Sequence, residues 1–70
     1  MNTAQQIKSA YVTSNPENGV VRVDWEGLIS ECEEKGIPEQ DWEHETTSYS
    51  FADKSVLVIW NNEVRTYNAM

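Results

Sequence analysis

The sequence contains few of the residues that catalytic and metal sites require. It has one cysteine, Cys32, and one histidine, His44. A lone cysteine excludes an internal disulfide framework, and structural zinc usually needs four ligands, mostly Cys and His. The three glycines, Gly19, Gly27 and Gly36, are isolated, so the chain has no glycine-rich phosphate loop. We therefore predict no catalytic residue, no bound metal and no cofactor.

Long apolar stretches are also missing. No segment approaches the roughly 18 apolar residues of a transmembrane helix, and the N-terminus lacks the basic start and apolar run of a signal peptide. The sequence thus predicts one cytoplasmic domain, residues 1–70, with no membrane contact. A domain of this size buries only about 60% of the surface that its unfolded chain exposes. That leaves little room for a deep pocket and favours binding at the surface over catalysis.

Positive charge is scarce, and negative charge is concentrated in one segment. The chain has twelve acidic and five basic residues, for a net charge of −7. Between Asp24 and Glu45 there are nine acids and one base, Lys35, whereas the rest of the chain has three acids and four bases. Such a domain repels nucleic acid and anionic lipid and attracts basic protein surfaces. We predict no direct binding to nucleic acid.

Apolar spacing predicts two short helices, at about residues 3–12 and 25–35. In the second, Trp25, Leu28, Ile29 and Cys32 repeat every three or four positions and share one face. Asp24 is suited to the N-cap of this helix. Gly36 is predicted to take the left-handed conformation that often ends a helix. Residues 38–42 are read as a further short helical turn, and residues 20–23 as a short strand or as the start of the second helix.

From about residue 46 to residue 68 the period changes to two, which predicts a three-stranded antiparallel meander packed with one or two helices. Asn61-Asn62 and residues 52–54 supply its turns. With two-residue loops, one face of the meander is aromatic, and we expect it to be the core. Its members are Tyr49, Phe51, Val56, Val58, Trp60 and Tyr67. The opposite face, with Leu57, Ile59 and Val64, is then uncovered. The predicted fold class is α+β.

Cys32 and His44 are also candidates for a catalytic nucleophile and its general base. Such a pair must lie within hydrogen-bonding distance, with a third group orienting the imidazole. Cys32 falls on the apolar face of its helix, where burial raises a thiol pKa and makes the thiol unreactive. The sequence therefore favours a core role for Cys32 and no enzymatic activity.

The acidic segment is read in two ways. As a solvated face it keeps a small domain soluble. As a functional surface it imitates a nucleic-acid backbone, because helical carboxylates three or four residues apart present closely spaced charges. In the functional reading the partner is a host protein with a basic nucleic-acid-binding channel. The predicted partner-binding residues are Glu26, Glu31, Glu33, Glu34, Glu39, Asp41, Glu43 and Glu45.

Residues 49–57 (YSFADKSVL) and 67–70 (YNAM) resemble the hairpin of some small acidic phage anti-CRISPR proteins that act as DNA mimics. Residues 4–6 (AQQ), followed by Lys8, are also similar to that group. The similarity covers about a third of the chain, which lacks the acidic C-terminal helices that such proteins can carry. The resemblance implies a phage inhibitor, acting in the host cytoplasm, that occupies the nucleic-acid site of a host defence complex or another host enzyme.

An alternative of a different class is an adaptor or a small homo-oligomer, including a homodimer, that binds through apolar surface. In the predicted meander, Leu57, Ile59 and Val64 form an uncovered apolar patch, and the last strand offers a free pairing edge. This reading predicts association that tolerates high salt, whereas the mimic predicts salt-sensitive binding.

Overall fold

The computed structural model describes residues 1–15 and 19–68. Within these residues the chain forms two helices and six strands in two antiparallel sheets, which confirms the predicted α+β class. The sheet is larger than the predicted meander by one strand, and a separate two-stranded hairpin precedes it. The elements are α1 (Thr3–Tyr11), β1 (Val12–Asn15), β2 (Val20–Val23), α2 (Trp25–Lys35), β3 (Ile37–Asp41), β4 (Thr46–Ser50), β5 (Ser55–Trp60) and β6 (Glu63–Asn68).

Helix α1 begins at a capping box. The side chain of Asn2 accepts a hydrogen bond from the backbone N–H of Gln5 (2.8 Å), and the Gln5 side chain accepts one from the backbone N–H of Asn2 (3.1 Å). These two bonds satisfy N–H groups that a helix start leaves without partners. The helix ends where β-branched residues begin, at Val12, and the chain enters β1 without an intervening loop.

Helix α2 has the predicted bounds and N-cap: Asp24 accepts from the backbone N–H of Gly27 (3.2 Å). Its buried residues, Leu28 and Cys32, lie on the predicted apolar face. The prediction for Gly36 was wrong, because Gly36 has extended backbone angles (φ −120°, ψ 174°). Glycine is needed there for space instead: a Cβ atom at Gly36 would lie 2.8 Å from Cε1 of Phe51.

The four-stranded sheet has the order β3-β4-β5-β6. Its first strand corrects the helical turn predicted at residues 38–42: Ile37–Asp41 is extended and pairs with β4, from Ile37 opposite Ser50 to Asp41 opposite Thr46. All five side chains of β3 are exposed. A strand that buries nothing has no alternation of apolar and polar residues, so period-two analysis does not detect it.

The length of the β4–β5 loop changes which side chains of β4 and β5 share a face of the sheet. Asn61 and Asn62 form the predicted two-residue turn, both with positive φ (50° and 61°). The β4–β5 turn, however, uses three residues, 52–54, and ends at Lys54 with φ 68°. The extra residue moves every β4 side chain to the other face relative to β5. As a result Tyr49 lies opposite Leu57.

Both helices cover the face of the sheet that carries Leu57. Helix α1 contacts β5 and β6, and α2 contacts β3. We call this the inner face. The core prediction holds for Tyr49 and Phe51 but fails for Trp60 and Tyr67, which are 46% and 53% exposed. Val56 is buried outside the core cluster. The core cluster consists of Ala4, Ile7, Leu28, Cys32, Tyr49, Phe51, Leu57 and Val64, with Ile59 packed against it.

Candidate binding surface

The acids of α2 divide into one paired residue and three free ones. Glu31 forms an ion pair with Lys35 one turn later (2.7 Å). That hydrogen bond and the charge of Glu31, with a further contribution from Glu34, raise the pKa of Lys35. The other three acids, Glu26, Glu33 and Glu34, are exposed, and within residues 1–15 and 19–68 no cation is within ion-pair distance of them.

The acids of β3 and the β3–β4 turn also divide. Asp41 organises the turn: its carboxylate accepts from the backbone N–H groups of Glu43 (3.1 Å) and His44 (3.2 Å) and contacts Nδ1 of His44 at 2.8 Å. The hydrogen bond with the His44 ring, followed by the one from its backbone N–H, lowers the pKa of Asp41. Glu39, Glu43 and Glu45 are exposed, and in the part of the chain that the structure describes they have no ion-pair partner.

Six of the eight predicted acids therefore remain exposed and without a partner among the described residues. We call these six the acidic surface: Glu26, Glu33, Glu34, Glu39, Glu43 and Glu45. The sequence reading placed them along one line that continues from a helix. The structure distributes them over two layers, because α2 lies on the inner face of the sheet whereas Glu39 projects from the outer face, opposite Ser48. The unrecognised strand β3 causes this difference.

Neighbouring titratable groups sense the negative charge of α2. Burial, then the charges of Glu31 and Glu33, raise the pKa of the Cys32 thiol to about 11. Burial, then the charge of Glu33, also raises the pKa of Tyr49. Both shifts have the direction expected near carboxylates, which disfavour a further negative charge. The carboxylates of α2 therefore add to both shifts, after burial.

A tryptophan stands among the acids of the β3–β4 turn. Trp42 is 81% exposed and lies between Asp41 and Glu43. Tryptophan is one of the residues that contribute most to protein interfaces when a partner buries it. The sequence analysis did not single out Trp42, although a tryptophan in an otherwise acidic run is visible in the sequence.

Cys32 and His44 occupy different environments. Cys32 is fully buried in the core, as its helical position predicted. The side chain of His44 is exposed in the β3–β4 turn, where its ring contacts Asp41. Over residues 1–15 and 19–68 no cluster of three His, Cys, Asp or Glu side chains is arranged to hold a metal ion.

A groove that the sequence did not reveal separates the β1–β2 hairpin from the β5–β6 turn. It has a volume of about 710 Å³. Its lining includes Val12, Val23 and Trp25, with the cations Lys8 and Arg65. The groove therefore adjoins the start of α2 at Trp25, and because Glu63 also lines it, it carries charges of both signs.

The apolar patch that the adaptor reading required is not where it was predicted. Leu57 and Val64 are core residues and Ile59 packs against them. The uncovered face is the opposite one, which we call the outer face; it carries Ile37, Val58, Trp60 and Tyr67, and Ile37 is 74% exposed.

No family model matches the chain, and no curated protein or solved structure is significantly similar to it. Among the described residues, neither helix has the length and apolar character needed to cross a membrane.

Proposed function

We propose that this protein binds a basic nucleic-acid-binding surface of another protein through the acidic surface and so excludes the nucleic acid. One observation carries the proposal: six of the eight acids predicted to bind are exposed and have no ion-pair partner among the described residues. Ion pairs between exposed side chains add little stability, so the six acids are free to meet a basic partner. Unpaired carboxylates repel each other until a basic partner neutralises them.

The spacing of the acids supports the proposal. Glu26 and Glu33 are two helical turns apart, about 10.5 Å along α2. Three phosphate steps along one strand of duplex DNA span about 10.2 Å of the axis. A channel of Lys and Arg side chains that holds phosphates could hold these carboxylates in their place.

Trp42 gives the surface a second means of attachment. Charge alone would make binding salt-sensitive and poorly selective. A large aromatic side chain that becomes buried adds area and specificity. The target class follows from the resemblance to anti-CRISPR proteins: a host defence complex, or another host nucleic-acid enzyme, in the host cytoplasm. The protein acts on it as an inhibitor and catalyses no reaction.

Displacement of DNA tests this proposal. The tagged protein is used to capture nucleic-acid enzymes from host lysate, and each captured enzyme is purified and loaded with a fluorescent duplex DNA. Increasing amounts of the protein should release the DNA, less so as salt rises. Replacing Glu26, Glu33 and Glu34 together by Gln should raise the concentration needed by about tenfold or more, since each lost contact with a basic group weakens binding.

The matched control is Glu63→Gln, which removes an acid from β6, outside the acidic surface. It should change the release of DNA by less than about twofold. Simultaneous binding of the enzyme to DNA and to the protein would contradict the proposal. So would equal release by the wild type and the triple variant.

A further inference from the structure

Apart from Glu39, the proposed function leaves the side chains of the outer face unused. Its two longest exposed aromatic side chains, Trp60 and Tyr67, would be expected in a core, yet no helix covers them. Apolar patches that are exposed on small proteins mark interaction sites more often than isolated apolar residues do. The register of the strands shows which partner the face fits.

The side chains of the outer face form cross-strand rows. In the first row Ile37 lies opposite Ser50, Ser50 opposite Val56, and Val56 opposite Tyr67. In the second row the order is Glu39, Ser48, Val58 and Arg65. Each row therefore has different groups at its two ends, and the second row carries an acid on β3 and a base on β6.

We propose that the protein forms a twofold dimer in which the outer faces of two copies pack together about an axis parallel to the strands. This axis places β3 of one copy over β6 of the other and keeps each row at its own level. Glu39 then faces Arg65 of the second copy, twice in the dimer. Ile37 faces Tyr67 of the second copy, and the two Val58 side chains lie near the axis.

Charge favours this arrangement over a twofold packing in which the axis is perpendicular to the strands. With the axis perpendicular to the strands, β3 lies over β3 and Glu39 faces Glu39 of the second copy, which is unfavourable. With the parallel axis, the like-charged contact is Asp41 with Glu63 of the second copy. Asp41 already contacts His44 in its own chain, and Arg65, which donates to Glu63 (3.1 Å), then lies between Glu63 and Glu39 of the second copy and serves both carboxylates.

The area of the outer face limits the affinity that the dimer can have. Four strands spaced about 4.8 Å apart, each contributing about five residues of 3.4 Å, cover roughly 19 by 17 Å. Two such faces, of about 320 Å² each, bury roughly 650 Å², which is below the area of about 1,000 Å² that most specific interfaces exceed. We therefore expect a weak dimer with a Kd in the micromolar range, with the two sheets turned by about 30° relative to each other.

The dimer does not depend on the proposed function. It covers Glu39 but leaves exposed the acids of α2 and those of the β3–β4 turn. The two interfaces also respond to different substitutions, since a change on the outer face at Val58 or Arg65 leaves the α2 acids intact. Failure of one proposal therefore does not imply failure of the other.

Sedimentation of the purified protein tests the dimer, at concentrations from about 1 μM to about 1 mM to span the expected Kd. Glu39→Arg and Arg65→Glu, each alone, should raise the Kd by about tenfold or more because each acts at two symmetric contacts. The double variant, with both charges exchanged, should restore association. Circular dichroism should show all three folded, since both residues are exposed.

Two charge reversals outside the outer face serve as controls: Glu34→Arg on α2 and Arg22→Glu on β2 should leave the Kd within about twofold. A wild type that remains monomeric over the whole range overturns the proposal. A double variant that fails to recover also overturns it. Stronger association of Glu39→Ala alone would indicate β3 over β3 and would contradict the proposed axis.

Discussion

The two edge strands of the four-stranded sheet differ in what they contribute to the fold. Strand β6 places Val64 in the core, and Asn68 near its end accepts a hydrogen bond from the Asn2 side chain at the start of α1 (2.8 Å). Strand β3 buries none of its five side chains and contains Pro38. An edge strand with charges and a proline is protected against uncontrolled pairing. The comparison shows that β6 contributes to the core, whereas β3 contributes exposed surface.

The register of β5 with β4 and β6 decides which face of the sheet is the core, so the largest expected effect tests that register. Leu57→Ala should lower the free energy of unfolding by about 2–5 kcal/mol, because Leu57 is completely buried. Trp60→Ala, on the outer face, should cost only about 1 kcal/mol, well below the loss for a buried tryptophan. Urea unfolding measures both. A greater loss for Trp60→Ala would mean that the outer face is the core.

The next effect compares the edges directly. Val64→Ala on β6 should lower the free energy of unfolding by about 1–3 kcal/mol, because it removes buried methyl groups. Ile37→Ala on β3 should change it by less than about 0.5 kcal/mol, as for other exposed positions. The same unfolding measurement serves both variants. Equal losses would show that β3 contributes to the core after all.

The sequence predicted the parts of the fold that depend on local signals. Both helices, the N-cap of α2 and the Asn61-Asn62 turn were found, because capping residues, helical spacing and tolerance of positive φ are properties of a few neighbouring residues. Strand β3 was missed because its exposed residues have no apolar period. The face of the sheet was assigned wrongly because the length of one loop, residues 52–54, decides the register, and composition does not specify loop length.

The candidate binding surface was likewise predictable only in those features that local sequence signals define. The concentration of acids between Asp24 and Glu45 is visible in the sequence and requires no structure. Which acids are paired depends on the folded turn for Asp41 and on helical spacing for Glu31. The division of the acids between two layers depends on β3 and was therefore out of reach. Residues 14–19 are dense in turn-forming residues and predict a turn, of which positions 16–18 lie outside the described residues.

A smaller effect concerns the β4–β5 turn, in which Asp53 holds the start of α1. Asp53 accepts hydrogen bonds from the Ser55 hydroxyl and from the backbone N–H (2.8 Å) and hydroxyl (2.9 Å) of Thr3. The bond from the Ser55 side chain, followed by that from the Thr3 N–H, holds the pKa of Asp53 well below its ordinary value. The unfolded chain therefore binds the proton more readily, and the stability that Asp53 provides above about pH 4 is lost as the pH falls further.

Urea midpoints between about pH 2 and pH 6 check this linkage. Asp53→Asn should be less stable than the wild type at pH 6, and its stability should depend less on pH below 4. Glu63→Gln, which removes an acid without this network, should follow the wild type. An acid dependence of Asp53→Asn as steep as that of the wild type would show that Asp53 does not anchor α1.

The most direct test of the central claim, that the β3 side of the molecule carries the binding surface, is the salt dependence of affinity for a captured nucleic-acid enzyme. Wild type, Glu43→Gln and Glu63→Gln are compared, since the two variants each remove one exposed acid, Glu43 beside the edge strand β3 and Glu63 on the edge strand β6. Glu43→Gln should weaken binding by about three- to fivefold and make it less dependent on salt. Glu63→Gln should leave both unchanged. Equal effects of the two variants, or affinity that does not depend on salt, would contradict the account.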